Sequence, residues 1–304
     1  MHRSTIDLAA LAGDFDLQST VESGQSYLWD REDGRMYDRD GETGSDAWYW
    51  TTARVDGDPE VVRARQTDGV LDWEASFDAE SHLRARLGLD DDLPAIRGTA
   101  PPDAVVEEAY DAYWGMRIVR DPAFPTLISF ICSAQMRVAR IHGMQQALRR
   151  EFGDPVAFDG RQYRAYPTPE ALAAASEADL RDLNLGYRAP YVKRSAELVA
   201  DGEVHPEDAR GRDYEDARAA LTEFVGVGEK VADCILLFSL GYLEAVPLDT
   251  WIRTTIAEYY PECDRGNYGD TSRAIREALG GEYAGYTQTY LFHYLRSGGR
   301  DTRT

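Results

Sequence analysis

A lysine and an aspartate, Lys230 and Asp249, lie at the two ends of a largely apolar stretch of the chain. The apolar spacing over 229–240 predicts a helix, and Lys230 falls in its first turn. The positive end of the helix dipole disfavours a protonated amine there, and a neutral lysine amine is a nucleophile. Asp249 is placed to cap a further helix, predicted over 250–259, so that its carboxylate can face the group that Lys230 attacks. The pair therefore indicates nucleophilic chemistry by an amine beside a carboxylate.

The composition of the chain singles out this lysine. Only two of the 33 Lys and Arg residues are lysine, Lys193 and Lys230, and all the others are arginine. Since the chain uses arginine where charge alone is needed, a lysine at 230 indicates amine chemistry that a guanidinium cannot supply. Lys193 lies in no comparable motif, so lysine usage by itself also permits an ordinary helix-surface residue.

The segment before Lys230 predicts a helix-hairpin-helix. Gly226-Val227-Gly228 joins the end of a helix at 219–224 to the helix of Lys230. Two glycines around one small apolar residue let the backbone bend with positive φ and approach another backbone closely. The free N–H groups that begin the second helix suit a phosphate. A lone glycine pair, a helical lysine and a capping aspartate are each also typical of ordinary helices, so these features alone leave a structural role open.

The remaining composition sets the class of protein. The chain has 304 residues, 43% of them hydrophobic, which suffices for two or three subdomains. Three cysteines at wide spacing fit no disulfide framework and argue against a cysteine-ligated iron–sulfur cluster. Five scattered histidines argue against a catalytic zinc. Because there is no membrane-spanning apolar run and no signal-peptide pattern, we expect a cytoplasmic protein.

The chain has a net charge of −21 and a pI of about 4.6. Such a strongly acidic chain is expected to repel the nucleic-acid backbone. We interpret the acid excess, together with arginine in place of lysine, as an adaptation of the whole surface to a high-salt interior. Acids are then expected to be absent only where phosphates dock. Three stretches, 122–150, 183–195 and 283–300, contain no Asp or Glu and carry arginines.

The order of elements predicts an α+β fold. Residues 1–102 are expected to form an N-terminal antiparallel sheet domain, with short strands at 15–17, 26–29, 35–38, 47–52, 61–66 and 70–73. Residues 103–304 are expected to be helical, with the hairpin and catalytic segment at 219–259. In this part the pattern predicts one helix over 104–117 and a long apolar helix within 124–152.

Five stretches of the chain carry a family resemblance. The stretch GVGEKVADCILLFSLGYLEAVPLDT resembles the hairpin and catalytic segment of the helix-hairpin-helix superfamily of DNA glycosylases, and most closely the eukaryotic-type 8-oxoguanine DNA glycosylases. Four further stretches follow the same family in order: FDLQSTVESGQSYLW, ICSAQMRVARIHGM, LNLGYRAPYVKRSAEL and GEYAGYTQTYLFHYLR. The resemblance therefore covers nearly the whole chain.

The resemblance implies a pocket for a flipped base. In the family a glycine carbonyl accepts a hydrogen bond from the oxidised base, a role that falls on Gly24. Gln288 would bond the Watson–Crick edge and Phe292, four residues later on the same helix face, would stack on the base. Cys234, one helical turn after Lys230, would form the opposite wall. On spacing alone, these residues are equally typical of a turn and a packed core.

The resemblance also implies residues that hold the opened DNA duplex. Gln135 takes the wedge position, where the family usually has asparagine, and Arg140 and Arg188 would contact the orphaned cytosine. Tyr187 would wedge into the base stack, and Gly226 and Gly228 would let the hairpin approach a phosphate. Glutamine can fill the gap, but this departure from asparagine weakens the case for strict recognition of cytosine. Trp251 is a second departure, because the family has histidine there.

The activity implied is that of a bifunctional DNA glycosylase and lyase acting on 8-oxoguanine in double-stranded DNA, through base flipping and a Schiff base on Lys230. No cofactor is needed, and a cation held by the main-chain carbonyls of Thr222, Phe224 and Val227 would bridge to a phosphate. We expect a monomer that binds damaged duplex DNA and no membrane. Two alternatives stay open: a glycosylase for alkylated or other bases, favoured by Gln135 and Trp251, and a non-catalytic helix-hairpin-helix DNA-binding module.

Overall fold

The computed structural model describes residues 1–37 and 46–298. In these residues the N-terminal part is an antiparallel sheet of five strands in the order β1-β5-β4-β3-β2, and a separate two-stranded hairpin pairs β6 with β7. The strands are β1 (His2–Asp7), β2 (Asp30–Arg31), β3 (Tyr49–Val55), β4 (Asp58–Thr67), β5 (Val70–Ala75), β6 (Pro155–Phe158) and β7 (Arg161–Arg164).

Helices form most of the chain after the sheet. They are α1 (Leu17–Glu22), α2 (Glu80–Arg86), α3 (Leu93–Arg97), α4 (Ala104–Ala112), α5 (Ala123–Ile131), α6 (Val138–Phe152), α7 (Pro169–Ala174), α8 (Glu177–Leu180), α9 (Ala189–Ala200), α10 (Tyr214–Leu221), α11 (Glu229–Ile235), α12 (Thr250–Tyr259), α13 (Tyr268–Ala278) and α14 (Ala284–Arg296). A π-helical turn, Leu236–Leu240, continues α11, whereas the segment Arg181–Leu185 that follows α8 is kinked, because Asn184 has φ +67. The predicted α+β class is confirmed.

The N-terminal strand predictions are partly wrong. β3, β4 and β5 lie where alternating residues predicted strands, and in β5 Leu71, Trp73 and Ala75 face the core. Residues 15–17 instead lead into α1, because the Asp16 side chain accepts the backbone N–H of Ser19 and caps that helix. Residues 26–29 are buried but not in a strand, and 35–37 form a turn, whereas Asp38 lies outside the described residues.

Two predicted helices are shorter than their apolar patterns. The helix predicted over 104–117 ends at Ala112, and Gly115 then takes φ +101 so that its carbonyl can accept the Asp16 N–H at 2.9 Å. A Cβ at Gly115 would lie 3.0 Å from that backbone, so the close approach requires glycine. The long helix predicted within 124–152 is two helices, α5 and α6, because Gln135 between them has φ +57.

The hydrophobic core has two main clusters, and neighbouring residues of the segment that follows α1 belong to different ones. One cluster packs the sheet against α1 and α2 and includes Trp29, Tyr49 and Trp73. The other is the interior of the helical part, to which Tyr27 and Leu28 also contribute. The chain between α1 and β2 therefore lies at the meeting point of both clusters.

Buried hydrogen bonds fix this segment on the helical part. Gln25 is 2% exposed, and its amide donates to the carbonyls of Thr20 and Arg117, each at 2.8 Å, while accepting the Val119 N–H at 2.9 Å. Arg117 is itself fully buried and donates to six backbone carbonyls in the segments 12–14 and 88–91. The backbone at Gly24, one residue before Gln25, is thereby held against the helices.

Candidate active site

The hairpin joins α10 to α11 as the sequence predicted, but its two glycines differ. Gly226 has φ +85, and a Cβ there would lie 2.8 Å from the Tyr191 ring, so glycine is required both by conformation and by space. Gly228 has φ −93 and ψ 177, is the N-cap of α11, and would meet nothing within 4 Å with a Cβ. The expected positive φ therefore holds for Gly226 and is wrong for Gly228, which is extended and leaves the start of α11 open.

Lys230 lies in the first turn of α11 and is half-buried. Its amine donates to the Ser133 hydroxyl at 3.3 Å and lies 5.7 Å from the centre of the Phe130 ring. The Ser133 hydroxyl in turn donates to the Phe130 carbonyl at 2.7 Å, so an oxygen lone pair is left to accept from the amine. Neither Ser133 nor Phe130 carries a charge, so these two contacts hold the amine in place without neutralising it.

The other lysine has an ordinary structural role. Lys193 donates to the carbonyls of Ala173 and Ala175, at 2.7 and 2.9 Å, where α7 ends. It also pairs with Glu197 at 3.4 Å, one turn along α9. Lys193 therefore satisfies helix-end carbonyls, whereas Lys230 points at a cavity.

Asp249 is the N-cap of α12, which spans the predicted residues. Its carboxylate accepts the Ile252 N–H at 2.8 Å, and this bond satisfies one of the free donors of the helix start. Burial raises the pKa of Asp249 above 3.8, while the backbone hydrogen bond to Ile252 and the charge of Lys230 act in the opposite direction. The carboxylate thus lies in a partly dry site near the Lys230 side chain, where its field is stronger than in water.

One cavity of about 60 Å³ brings the predicted residues together. The predicted catalytic pair and all the residues predicted for the base pocket line it, namely Lys230, Asp249, Gly24, Cys234, Gln288 and Phe292. A space of this size holds a few water molecules, so a purine must part the walls to enter.

Three aromatic side chains of the cavity were missed by sequence reasoning: Tyr27, Phe130 and Phe238. Phe238 could have been found from spacing, because residues 230, 234 and 238 recur every fourth position and therefore share one face of a helix. Tyr27 and Phe130 contact each other edge to face with ring centroids 5.7 Å apart. They carried no spacing signal, since the segments that bear them are distant in sequence.

The wall formed by Gly24 cannot carry a side chain. Gly24 has φ +98, and a Cβ there would lie 3.1 Å from Val138 and 3.5 Å from the Phe292 ring. Gln288 is 4% exposed and Phe292 is half-buried one turn further along α14. Because residue 24 is glycine, its backbone can lie close to the Gln288 amide and the Phe292 ring, and these three groups can surround a flat ligand.

Cys234 lines the cavity beside Lys230, and its predicted place on the wall opposite the nucleophile stays a prediction. It is 2% exposed, and burial raises the pKa of its thiol to about 12. The thiol is therefore protonated at neutral pH, so that it acts as a polarisable wall beside Lys230 rather than as a competing nucleophile.

The residues predicted to fill the gap in the duplex and to contact the orphaned cytosine lie on two adjacent segments of the chain, 135–140 and 187–188. Gln135 and Arg140 are exposed, on the loop before α6 and in its first turn, and the Tyr187 side chain is 56% exposed. Arg188 is 3% exposed and donates to the carbonyl of Ala134, next to Gln135. Arg188 thus fastens the loop of Tyr187 to the loop of Gln135, and its contact with a base stays a prediction.

The predicted cation site also stays a prediction. Of the three carbonyls proposed for it, that of Phe224 accepts the Val227 N–H at 3.1 Å within the hairpin turn. Among residues 1–37 and 46–298, no group of three or more His, Cys, Asp and Glu side chains could hold a metal ion. Over the same residues, no helix is both long and apolar enough to cross a membrane.

Comparison with known proteins agrees with this geometry. Residues 128–280 match the family described as HhH-GPD superfamily base excision DNA repair protein, and the chain belongs to this superfamily. It is 32% identical to the probable N-glycosylase/DNA lyase of Methanothermobacter thermautotrophicus, over 94% of this chain and 95% of that protein. The resemblance read from the sequence is therefore confirmed.

Solved structures extend the likeness to the whole fold. MBOgg1 in complex with a low-affinity DNA ligand superimposes with a TM-score of 0.82 at 28% identity, over 98% of this chain and 96% of that one. The Clostridium acetobutylicum 8-oxoguanine glycosylase/lyase, solved with double-stranded DNA containing cytosine opposite 8-oxoguanine, gives a TM-score of 0.80 at 25% identity, over 94% and 93% of the two chains.

The contrast between the hairpin glycines is testable by mutation to alanine. We expect Gly226→Ala to lower the free energy of unfolding by roughly 1–3 kcal/mol, because a Cβ is strained at positive φ and meets the Tyr191 ring. Gly228→Ala should change it by less than about 1 kcal/mol, since Gly228 is extended with open space around it. Denaturant unfolding measures both, and equal losses would contradict the difference in backbone conformation.

Proposed function

We propose that this protein is a bifunctional DNA glycosylase and lyase that excises 8-oxoguanine from double-stranded DNA, opposite cytosine. The observation that carries the proposal is the single cavity that gathers Lys230 and Asp249 with Gly24, Gln288 and Phe292. A non-catalytic DNA-binding module has no use for an amine and a carboxylate beside a slot for a flat ring. The names of the relatives support the same activity.

The base would enter the cavity after flipping out of the duplex. Phe292 is placed to stack on its face, and the Gln288 amide is placed to bond its edge. Because Gly24 carries no side chain, its backbone can approach the base closely, as bonding the N7 hydrogen of 8-oxoguanine requires. Unstacking costs a few kcal/mol, which Gln135 and Tyr187 would offset by filling the gap in the duplex.

Lys230 would carry out the covalent step. Its neutral amine forms a bond to C1′ of the deoxyribose while the bond from C1′ to the base breaks, and the electron pair leaves with the base, which takes up a proton. Asp249, whose carboxylate lies in the same partly dry cavity, stabilises the positive charge that develops on the sugar. Opening of the sugar gives a Schiff base, and loss of a C2′ proton then expels the 3′ phosphate and nicks the strand.

The remaining surface would hold the duplex through its backbone. The open start of α11 after Gly228 presents N–H groups suited to a phosphate, and carbonyls of Thr222, Phe224 and Val227 would hold a cation that bridges to it. This local arrangement lets a chain of net charge −21 dock DNA, and we propose that it does so as a monomer.

The proposal is tested by excision of 8-oxoguanine from a duplex with each of the four bases opposite. We expect Lys230→Gln to abolish excision and nicking, because the amide is not a nucleophile. Lys193→Gln is the matched control and should retain the wild-type rate, since Lys193 bonds only helix-end carbonyls and Glu197 in the described structure. Wild-type excision of alkylated purines in preference to 8-oxoguanine, with Lys230 dispensable, would support the alternative glycosylase instead.

Arg140 is predicted to read the base opposite the lesion. Replacing it with glutamine should reduce the preference for cytosine by roughly 5- to 150-fold, the effect of losing one bidentate contact worth about 1–3 kcal/mol. Arg150→Gln is the control, because Arg150 is exposed on the same helix ten positions further on, away from the Gln135 loop. The measurement is the ratio of excision rates opposite cytosine and opposite adenine. An unchanged ratio in Arg140→Gln would show that the reader lies elsewhere.

A further inference from the structure

A buried carboxylate on α11, that of Asp233, lies outside the lining of the cavity. Asp233 is fully buried and three positions after Lys230. One of its oxygens accepts the Tyr214 hydroxyl at 2.6 Å and the other accepts the Tyr268 hydroxyl at 2.7 Å. The carboxylate thus joins α11 to α10 on one side and to α13 on the other. The mechanism described above makes no use of it.

The Tyr214 and Tyr268 hydroxyls differ in their other hydrogen-bond partners. The Tyr268 hydroxyl also accepts the backbone N–H of Leu248 at 3.1 Å, and Leu248 immediately precedes Asp249. The Tyr214 hydroxyl lies 3.4 Å from the Ser272 hydroxyl, and in the described part of the chain it makes no hydrogen bond with the 245–249 segment. A continuous path of hydrogen bonds therefore runs from α11, through Asp233 and Tyr268, to the backbone that carries Asp249.

The surroundings keep this path rigid. Arg276 lies 3.9 Å from the centre of the Tyr214 ring, and Arg218 lies 5.6 Å from the centre of the Tyr268 ring. Burial raises the pKa of Asp233 to about 7, an effect that the two phenol hydrogen bonds and the charges of Arg218 and Arg276 limit. A buried acid with both oxygens bonded resists displacement, because moving either phenol leaves a polar group unpaired.

The path has a consequence for the catalytic pair. Lys230 is on α11 itself, one turn before Asp233, whereas Asp249 belongs to a segment that follows the end of that helix and the Gly241 turn. Packing of Leu248, which is 3% exposed, holds this segment against the core but is not directional. The hydrogen bond from Leu248 to Tyr268 is directional, so it can fix the carboxylate relative to the amine.

We propose that Tyr268 is a positioning residue: its hydroxyl, held by Asp233, fixes the backbone of Leu248 and thereby sets the separation of the Asp249 carboxylate from the Lys230 amine. The inference rests on the proposed function, because that function assigns the chemistry to these two groups. A purely structural role for the buried carboxylate would make Tyr214 and Tyr268 equivalent, since each donates one hydrogen bond to it.

The chain offers a matched pair of variants that separates the two roles. Tyr268→Phe and Tyr214→Phe each keep the ring and remove one hydroxyl from the same carboxylate, but only Tyr268→Phe also frees the Leu248 N–H. Single-turnover excision of 8-oxoguanine, the Kd for duplex DNA with a non-cleavable abasic-site analogue, and the melting temperature are measured for both variants. The rates are compared well below the lower melting temperature, so that both proteins are folded.

We expect Tyr268→Phe to slow excision roughly 10- to 100-fold, as a small misplacement of a catalytic group does, with the Kd within about twofold of wild type. Tyr214→Phe should excise at close to the wild-type rate. Equal rates in the two variants, or a loss of excision matched by an equal loss of DNA binding, would overturn the positioning role while leaving the glycosylase assignment intact. A wild-type protein that neither excises 8-oxoguanine nor forms a borohydride-trapped adduct with abasic DNA would overturn the proposed function and this inference with it.

Discussion

The site depends on one helix, α11, which carries an amine that lines the cavity and, three residues later, a buried carboxylate that does not line it. Toward the cavity, α11 presents Lys230 and Cys234, and toward the core it presents Asp233, which is fully buried and bonded by two phenols. A buried acid is costly unless both oxygens are paired, so this side fixes the rotation of the helix about its axis. Once that rotation is fixed, the half-buried Lys230 amine can only face the cavity. The remaining walls are brought to this helix from four distant parts of the chain.

The opposing wall is a backbone and not a side chain. Gly24 lies between Phe292, Val138 and Arg296 in a conformation that favours glycine, and the hydrogen bonds of Gln25 to the segment at 117–119 hold it there. Gly24 and Gln25 belong to the stretch between α1 and β2, which lies where the two core clusters meet. The sheet therefore contributes to the site by fixing this stretch. Charge is also distributed locally. The chain has a net charge of −21, but the stretches 122–150 and 183–195, where the predicted wedge residues lie, contain no Asp or Glu.

Sequence reasoning succeeded where local physics decides the outcome. The Asp249 cap and the bounds of α12 follow from the residues themselves, and the spacing of Gln288 and Phe292 put both on the cavity side of α14. It failed where a distant contact overrides local pattern: Gln135 takes positive φ and splits an apparently continuous helix, and the helix predicted over 104–117 stops so that Gly115 can meet Asp16. Tyr27 and Phe130 could not be assigned to the site, since their approach depends on the packing of both core clusters.

The proposed mechanism requires that Lys230, and not another amine, attacks the sugar of the damaged nucleotide. The most direct measurement is borohydride trapping on a duplex that contains 8-oxoguanine opposite cytosine, followed by proteolysis and mass spectrometry of the adduct. We expect the DNA remnant to be attached to the peptide that contains Lys230. Attachment to Lys193 or to the N-terminal amine, or excision of the base without any covalent adduct, would contradict it.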